Sequence, residues 1–470
     1  MRTVNSVLLI TVAVWLFGCT GDTGDKAGAA GDSPNFVIIY CDDLGYGDLG
    51  CFGATGIKTP NIDRMAEEGM KFTEFYSASP VCSPSRAALM TGRIPQRMGI
   101  NGVFFPESYT GMPGSELTIA EVAREAGYAT GMVGKWHLGH RKEYLPLQQG
   151  FDEYFGIPYS NDMESVVYME GNRVVEFNPD QHYTTRTYTE KAVDFIRRKS
   201  GQPFFLYLAH SMPHVPIFAS EEFVGTSQRG YYGDVIREID WSVGEVLKTL
   251  KQTGNLENTL VVFSSDNGPW LVMREHGGSA GPLREGKQYT FEGGQRVPTL
   301  ALWPATIAAG SVYDDMALMM DWMPTFADMV GIPLPDDRDY DGESLLPVLS
   351  GDGHRQGDEF LYFDGGKLEC YRKGDWKLKL PFEGFEGRRW KKAVDPHPLL
   401  LINLKEDPGE QHNLADSLPE KVAEMKESME AYKRSRGEFP PSLVIKTGAP
   451  HAHYDTLTAR YGVDFYKGID

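Results

Sequence analysis

Cys82-Ser83-Pro84-Ser85-Arg86 gathers a thiol, two hydroxyls and a guanidinium into one short stretch. Pro84 fits the first turn of a helix running through Ala87, Ala88, Leu89 and Met90 to Gly92, so Cys82 falls at a helix amino terminus, where exposed N–H groups favour anions. A buried structural cysteine is the bland alternative, but Cys-x-Pro-Ser-Arg arises by chance in a chain this long with a probability on the order of one in a thousand. Further chemistry follows four apolar runs: Asp42-Asp43 after the first, Lys135-Trp136-His137 after the second, His210 and His214 after the third, and Asp266-Asn267 after the fourth. Asp42, Asp43, Asp266 and Asn267 offer only oxygen donors, which suits a hard cation such as calcium or magnesium and not zinc. Adjacent carboxylates repel, so burial of Asp42 beside Asp43 calls for a cation between them. Arg86, Lys135, His137 and His214 would bring to the same edge the positive charge that a bound oxyanion requires. Any one of these carboxylates could merely cap a helix. Four strand ends that all carry chemistry point to one site.

The elements that must position these groups are legible as an α/β pattern. Phe36 to Cys41, Ala129 to Val133, Phe204 to Ala209 and Leu260 to Ser264 read as strands of a parallel sheet buried on both faces. Ligands of such sheets bind beyond the carboxyl ends of the strands. Helical patterns lie between them: Asn61 to Glu68 behind Thr59-Pro60, Leu117 to Ala126 ending at Gly127, and a long helix ending at Gly254. The long helix presents Val235, Ile236, Ile239, Val243, Val246, Leu247 and Leu250 on one face. After about Leu346 the texture changes to short strands without helices between them, at Glu359 to Phe363, Glu369 to Tyr371, Trp376 to Leu380 and Leu399 to Leu404. These imply a small antiparallel sheet, on which a helix from Pro419 to Arg436 packs through Val422, Met425, Met429 and Tyr432.

The balance of 46 basic against 65 acidic side chains, a net charge of −19, gives no electrostatic footprint for nucleic acid. The five cysteines, at 19, 41, 51, 82 and 370, are too scattered for a disulfide framework or a zinc site of regular spacing. Cys41, Cys51 and Cys370 read as small buried hydrophobes. At the amino terminus Arg2, an apolar run from Val7 to Phe17, and Gly18-Cys19 form an export signal, well short of the roughly 20 apolar residues of a spanning helix. Leu16-Phe17-Gly18-Cys19 resembles the bacterial lipoprotein signal, with a bulky Phe17 where a small residue is usual. That resemblance implies lipidation of Cys19 and a periplasmic or membrane-anchored location. Thr20 to Pro34 is a flexible tether. The resulting division is 1–19 signal, 20–34 tether, 35–345 catalytic domain and 346–470 carboxyl-terminal antiparallel subdomain.

From Asn35 to about Leu414 the chain resembles the sulfatase family, most closely its arylsulfatase A type. The resemblance rests on Cys82-Ser83-Pro84-Ser85-Arg86, on the run from Gly127 through Lys135-Trp136-His137 to Gly139, on Gly156-Ile157-Pro158-Tyr159-Ser160, and on Gly286-Lys287 followed by Phe291-Glu292-Gly293-Gly294. It implies an alkaline phosphatase-like sandwich, with a large, mainly parallel sheet flanked by helices. It further implies that Cys82 is oxidised to formylglycine by a maturation enzyme, that the hydrate of this aldehyde is the nucleophile, and that Asp42, Asp43, Asp266 and Asn267 hold one Ca2+ with residue 82 completing the shell. Arg86 and Lys135 would hold the hydrate and His137 would act in its regeneration. His214 and Lys287 would bind sulfate and assist the leaving alcohol, while Ser160 would touch substrate. Pro213-His214-Val215-Pro216 fits the family pattern better than His210, which is left a structural role.

The reaction so implied is hydrolysis of a sulfate monoester. Its oxygens repel a nucleophile, so a cation and basic side chains must draw charge from them as the S–O bond breaks. Two other readings are a phosphatase or phosphodiesterase of the same architecture, which in its two-metal forms needs further His and Asp ligands not evident here, and an inactive protein that binds sulfated glycans. Export together with Trp270, Arg274 and His276 suggests a sulfated polysaccharide or its oligosaccharides, with aryl sulfates as model substrates. His397 is a further candidate at the site from the second domain.

Overall fold

A computed structural model describes residues 33–163, 166–387 and 391–444; the export signal, Cys19 and nearly all of the tether lie outside them. The four expected strands form the centre of the structure. Thr259–Ser265, Asn35–Cys41, Phe204–Ala209 and Ala129–Lys135 lie side by side in that order, all parallel and buried along their whole length. Their unbroken apolar character has a direct cause, since both faces are covered. Phe36, Ile38, Tyr40, Phe205, Tyr207, Leu260 and Val262 join one core with the helices Cys82–Thr91, Ile119–Glu125 and Trp322–Val330. Val37, Ile39, Leu206, Leu208, Val261 and Phe263 join a second with Pro60–Glu68, Thr184–Lys199 and Gly230–Gln252. All seven residues expected on the buried face of the long helix are buried.

Short strands widen this centre into a mixed, mostly parallel sheet of ten. Glu153–Ile157 adds in parallel beyond Ala129–Lys135, and the antiparallel pair Val167–Glu170 and Arg173–Phe177 closes that side. On the other side Thr299–Leu302 and Met70–Phe72 run antiparallel to their inner neighbours, with Ser311–Tyr313 outermost. Gly134, at φ 115°, lies where a Cβ would collide with the Ala209 carbonyl, so only glycine lets the two central strands close up beside Lys135.

The second sheet is antiparallel, in the order Glu359–Asp364, Lys367–Lys373, Trp376–Lys379 and Leu400–Asn403. Helix Pro419–Arg436 buries Met425 and Met429 against it. Phe360, Tyr362, Leu378 and Leu401 of this sheet belong to the same apolar core as the helix that begins at Cys82.

A fully buried ion network also ties the second sheet to the segment carrying Glu292. Lys377 lies 2.9 Å from both Glu292 and Glu410, and Glu410 accepts the Glu292 backbone N–H at 2.6 Å. Burial opposes ionisation of Glu292, yet Lys377, Arg296 and Arg372 hold it down to about 2. Lys377→Met should therefore cost about 3–5 kcal/mol in urea unfolding, because two buried carboxylates lose their shared cation. A cost below about 1 kcal/mol would show that the cation is dispensable to this joint.

Candidate active site

The site sits at the carboxyl edge of the central strands, where the segments behind all four turn inward. Helix Cys82–Thr91 starts there, and its first turn explains the Cys-x-Pro-Ser-Arg pattern locally. Ser83 Oγ accepts the Phe104 N–H at 3.1 Å, and Ser85 Oγ donates to the Asp266 carbonyl. Arg86 reaches Asp266 Oδ2 through Nε at 2.9 Å and Nη2 at 2.7 Å, and its Nη1 donates to the Lys135 carbonyl at 3.0 Å. The helix start is thus pinned to the ends of two strands, with the Cys82 side chain aimed between them. Gly92 ends the helix at φ 69°, its N–H on the Ala88 carbonyl.

Three carboxylates and three cations meet around Cys82, and all are buried. Lys135 Nζ bonds Asp42, Lys287 Nζ lies 2.7 Å from Asp43 Oδ1, and Arg86 pairs with Asp266. Cys82 Sγ is 3.4 Å from both Asp42 Oδ1 and Lys287 Nζ. Lys135 also donates to Ser160 Oγ at 3.1 Å. From the sequence the adjacent carboxylates call for a cation between them; in the structure each also has its own basic side chain. The sequence could not show this pairing, because the partners come from segments far apart in the chain.

Electrostatics within the cluster are uneven. Burial works against ionised Asp42, but Lys135, His214, Arg86 and Lys287 hold it well below the usual carboxylate range. Burial and the Asp42 charge push Asp266 up to about 7. The Cys82 thiol is raised well above its ordinary value by burial and by Asp42. His137 is held well below an ordinary histidine by burial, then by Lys135 and Arg86.

The two histidines present different nitrogens. His137, at φ 59°, contacts the Phe104 carbonyl through Nε2 at 2.9 Å; a carbonyl only accepts, so Nε2 carries the hydrogen and buried Nδ1, without a partner, keeps its lone pair. His214 contacts the Val215 carbonyl through Nδ1 at 2.6 Å, leaving Nε2 toward Asp43 Oδ2 at 3.7 Å. Asp43 is also held at positive φ, 64°. Such backbone conformations at non-glycine residues concentrate where function requires them.

The donor set fits a hard divalent cation. Asp42, Asp43, Cys82 and Asp266 each offer a ligand atom, all within 4.8 Å of one another. Buried Asn267 gives its Nδ2 to Asp43 Oδ1 at 2.7 Å and has an Oδ1 without a partner. An orphaned carbonyl oxygen and a carboxylate raised to about 7 are what a cation would satisfy. Three carboxylates already face three basic side chains here, so a bound divalent ion would add net positive charge to the cluster.

Other candidates lie apart from this cluster or only border it. His210 is buried among aromatic and helix residues, with Nε2 3.1 Å from Ser242 Oγ, and burial pushes it down to about 3. Trp270 packs against His214 and Lys287, whereas Arg274 and His276 are exposed on the following loop. His397 lies between Phe291 and Phe382 beside a small pocket lined by Tyr289, Lys379 and Lys391, none of them a member of the Cys82 cluster. Phe104, which links the start of the helix to His137, escaped the sequence reading because it acts only through its backbone.

Comparison with known proteins agrees with this geometry. A family model described as sulfatase matches residues 34–332, and one described as N-sulphoglucosamine sulphohydrolase, C-terminal, matches residues 285–435. An N-acetylgalactosamine-6-sulfatase of Rattus norvegicus is 43% identical over 76% of this chain and 73% of that protein. Arylsulfatase A of Homo sapiens is 37% identical over 89% and 91%. A solved structure described under metabolism of multiple glycosaminoglycans by bacteroides thetaiotaomicron has a TM-score of 0.79 at 30% identity, covering 86% of this chain and 100% of that one. The structure of Ps i-CgsB in complex with k-i-k-neocarrahexaose has a TM-score of 0.79 at 29% identity, covering 92% and 99%.

Proposed function

The chain belongs to the sulfatase family, whose reaction is the hydrolysis of sulfate esters, and from that premise we propose that it removes sulfate from a sulfated oligosaccharide or polysaccharide at the Cys82 cluster. The observation that carries this reading is the convergence of Arg86, Lys135, Lys287, His137 and His214 on one buried cysteine flanked by Asp42, Asp43 and Asp266. Sulfated sugars are favoured by the relatives, one named N-acetylgalactosamine-6-sulfatase and one solved in complex with k-i-k-neocarrahexaose. N-acetylgalactosamine 6-sulfate is therefore the first substrate to try, within a panel of defined sulfated sugars. Aryl sulfate turnover with no aryl phosphate turnover would separate this reading from the phosphatase one; the reverse would overturn it.

Asp42, Asp43, Asp266, Asn267 and residue 82 would hold Ca2+, which when bound supplies positive charge to the sulfate oxygens. Formylglycine formed from Cys82 by a maturation enzyme supplies, as its hydrate, one hydroxyl to attack sulfur and a second whose deprotonation expels sulfate. The remaining work falls to side chains of this chain. Lys135 and Lys287 neutralise sulfate oxygens from two sides, and Ser160 orients Lys135. Arg86 fixes the start of the helix against Asp266, so residue 82 keeps its aim. His137 accepts a proton at Nδ1, and His214 gives one from Nε2 to the departing alcohol. We read residues 1–19 as an export signal ending at Cys19, the site of a lipid anchor, followed by a tether.

Chelation should abolish turnover yet leave the protein folded, because each carboxylate keeps a basic partner without the metal. At a calcium concentration about a hundred times Kd, the ion should add about 2.7 kcal/mol of stability, seen in calorimetry as a rise in Tm. Full activity in protein shown to be metal-free would sink the cation site.

A further inference from the structure

Trp270 touches both Lys287, assigned to the sulfate group, and His214, assigned to the leaving alcohol. Lys287 Nζ lies 4.6 Å from the indole centroid, and the His214 ring centroid lies 5.4 Å away at 45°. The same ammonium is 2.7 Å from Asp43 Oδ1 and 3.4 Å from Cys82 Sγ. The indole therefore covers Lys287 beside its anionic partner and reaches His214 as well. Trp270 is only 8% exposed, so its contacts with both groups are made by a buried ring.

Its backbone is fixed by the segment it serves. The Lys287 N–H donates to the Pro269 carbonyl at 2.9 Å, and Met273 donates to the Trp270 carbonyl at 3.0 Å. Gly268 donates to the Gly294 carbonyl at 3.0 Å, and a Cβ at Gly268 would collide with the Gly293 carbonyl. The loop that follows Asp266-Asn267 is thereby locked against the loop carrying Lys287. A cation over an indole is attracted to the ring face, more strongly when shielded from water.

We propose that Trp270 is a positioning residue of the sulfatase reaction: one indole ring holds Lys287 and His214 in register with residue 82. This rests on the function proposed above and goes beyond it by naming what aligns the two groups. An apolar side chain of another shape would lose both the cation–π contact and the ring contact. A phenyl ring would keep a weaker form of each.

Trp270→Leu and Trp270→Phe are to be compared with wild type on N-acetylgalactosamine 6-sulfate and on 4-nitrophenyl sulfate, with Tm and bound calcium measured for each. The leaving alcohol of the sugar ester needs a proton and nitrophenolate scarcely does. Trp270→Leu should therefore lower kcat on the sugar sulfate about 30-fold to 300-fold, part of what a general acid is worth, and its loss on nitrophenyl sulfate should be at least about tenfold smaller. Trp270→Phe should recover most of the sugar-sulfate kcat. Equal losses on both esters, or a loss that tracks Tm, would make Trp270 merely structural and overturn the proposal. A rise in KM for the sugar ester alone, with kcat unchanged, would make it a sugar-stacking surface and also overturn it. If correctly matured wild type turned over neither ester, the sulfatase function itself would fail, an outcome distinct from both.

Discussion

Cys82→Ala should give a folded protein whose turnover of sulfate esters is lower by about ten-thousand-fold or more, as for loss of a catalytic nucleophile elsewhere. The surroundings of Cys82 give a reason why an unmodified thiol would be a poor substitute for the proposed formylglycine. It is buried beside Asp42, and burial and that charge raise it well above its ordinary value, so it stays a protonated thiol and not a thiolate. A thiol also has one nucleophilic group, whereas a hydrated aldehyde has two on one carbon, one to take the sulfate and one to expel it. Protein made without a maturation enzyme should fold normally and be only weakly active. Peptide mass spectrometry on active material should find formylglycine at residue 82. Full activity with only cysteine there would remove the basis of the proposed chemistry.

The centre of the fold was legible because the strands are buried on both faces, which forces continuous apolar runs such as Phe36 to Ile39 and Phe204 to Ala209. The second sheet and helix Pro419–Arg436 were legible for a different reason, a change in texture and a helical repeat of Met425 and Met429. The short outer strands on one side were not. Met70–Phe72 and Ser311–Tyr313 have three residues each, too short for periodicity to show, and they are strands only because a neighbour offers a ladder. Helix Thr184–Lys199 hid behind its threonines and charges, although Tyr188, Ala192, Phe195 and Ile196 are buried.

At the site, residue types announced the acids and bases, but their pairing did not follow from types. That Lys135 meets Asp42 while Lys287 meets Asp43 depends on how the loop at 286–294 folds against the loop behind Asp266. Lys377 was invisible as an anchor of Glu292 for a similar reason: a lysine in a short strand reads as a solvated face until the sheet is seen to pack inward. Trp270 stood out in sequence only as an aromatic loop residue, a candidate for touching sugar, and its contacts with Lys287 and His214 required coordinates.

His137 and His214 should fail in different half-reactions. His137 contacts the Phe104 carbonyl through Nε2, so its hydrogen is on that nitrogen and its Nδ1 lone pair is free to take a proton; burial, Lys135 and Arg86 keep the ring neutral beforehand. Such a ring can deprotonate a hydroxyl on residue 82 but has no proton to give through Nδ1. His214 presents the other nitrogen: its Nδ1 donates to the Val215 carbonyl, so Nε2, beside Asp43 and against Trp270, gives a proton to the alcohol only from the imidazolium form. General acid–base steps of this kind are each worth roughly a hundred-fold to ten-thousand-fold in rate. His137→Ala should release about one equivalent of alcohol and then stall, with the mass of the sulfate group retained on the peptide containing residue 82. His214→Ala should instead slow the first release of alcohol, far more for a sugar sulfate than for nitrophenyl sulfate, whose leaving group scarcely needs a proton. A burst experiment followed by intact-protein mass spectrometry separates the two. Retained sulfate in His214→Ala but not in His137→Ala would reverse the assignment. Loss of activity in both variants through weaker binding alone, with no retained sulfate in either, would reduce both histidines to sulfate ligands and leave the proton transfers to other groups.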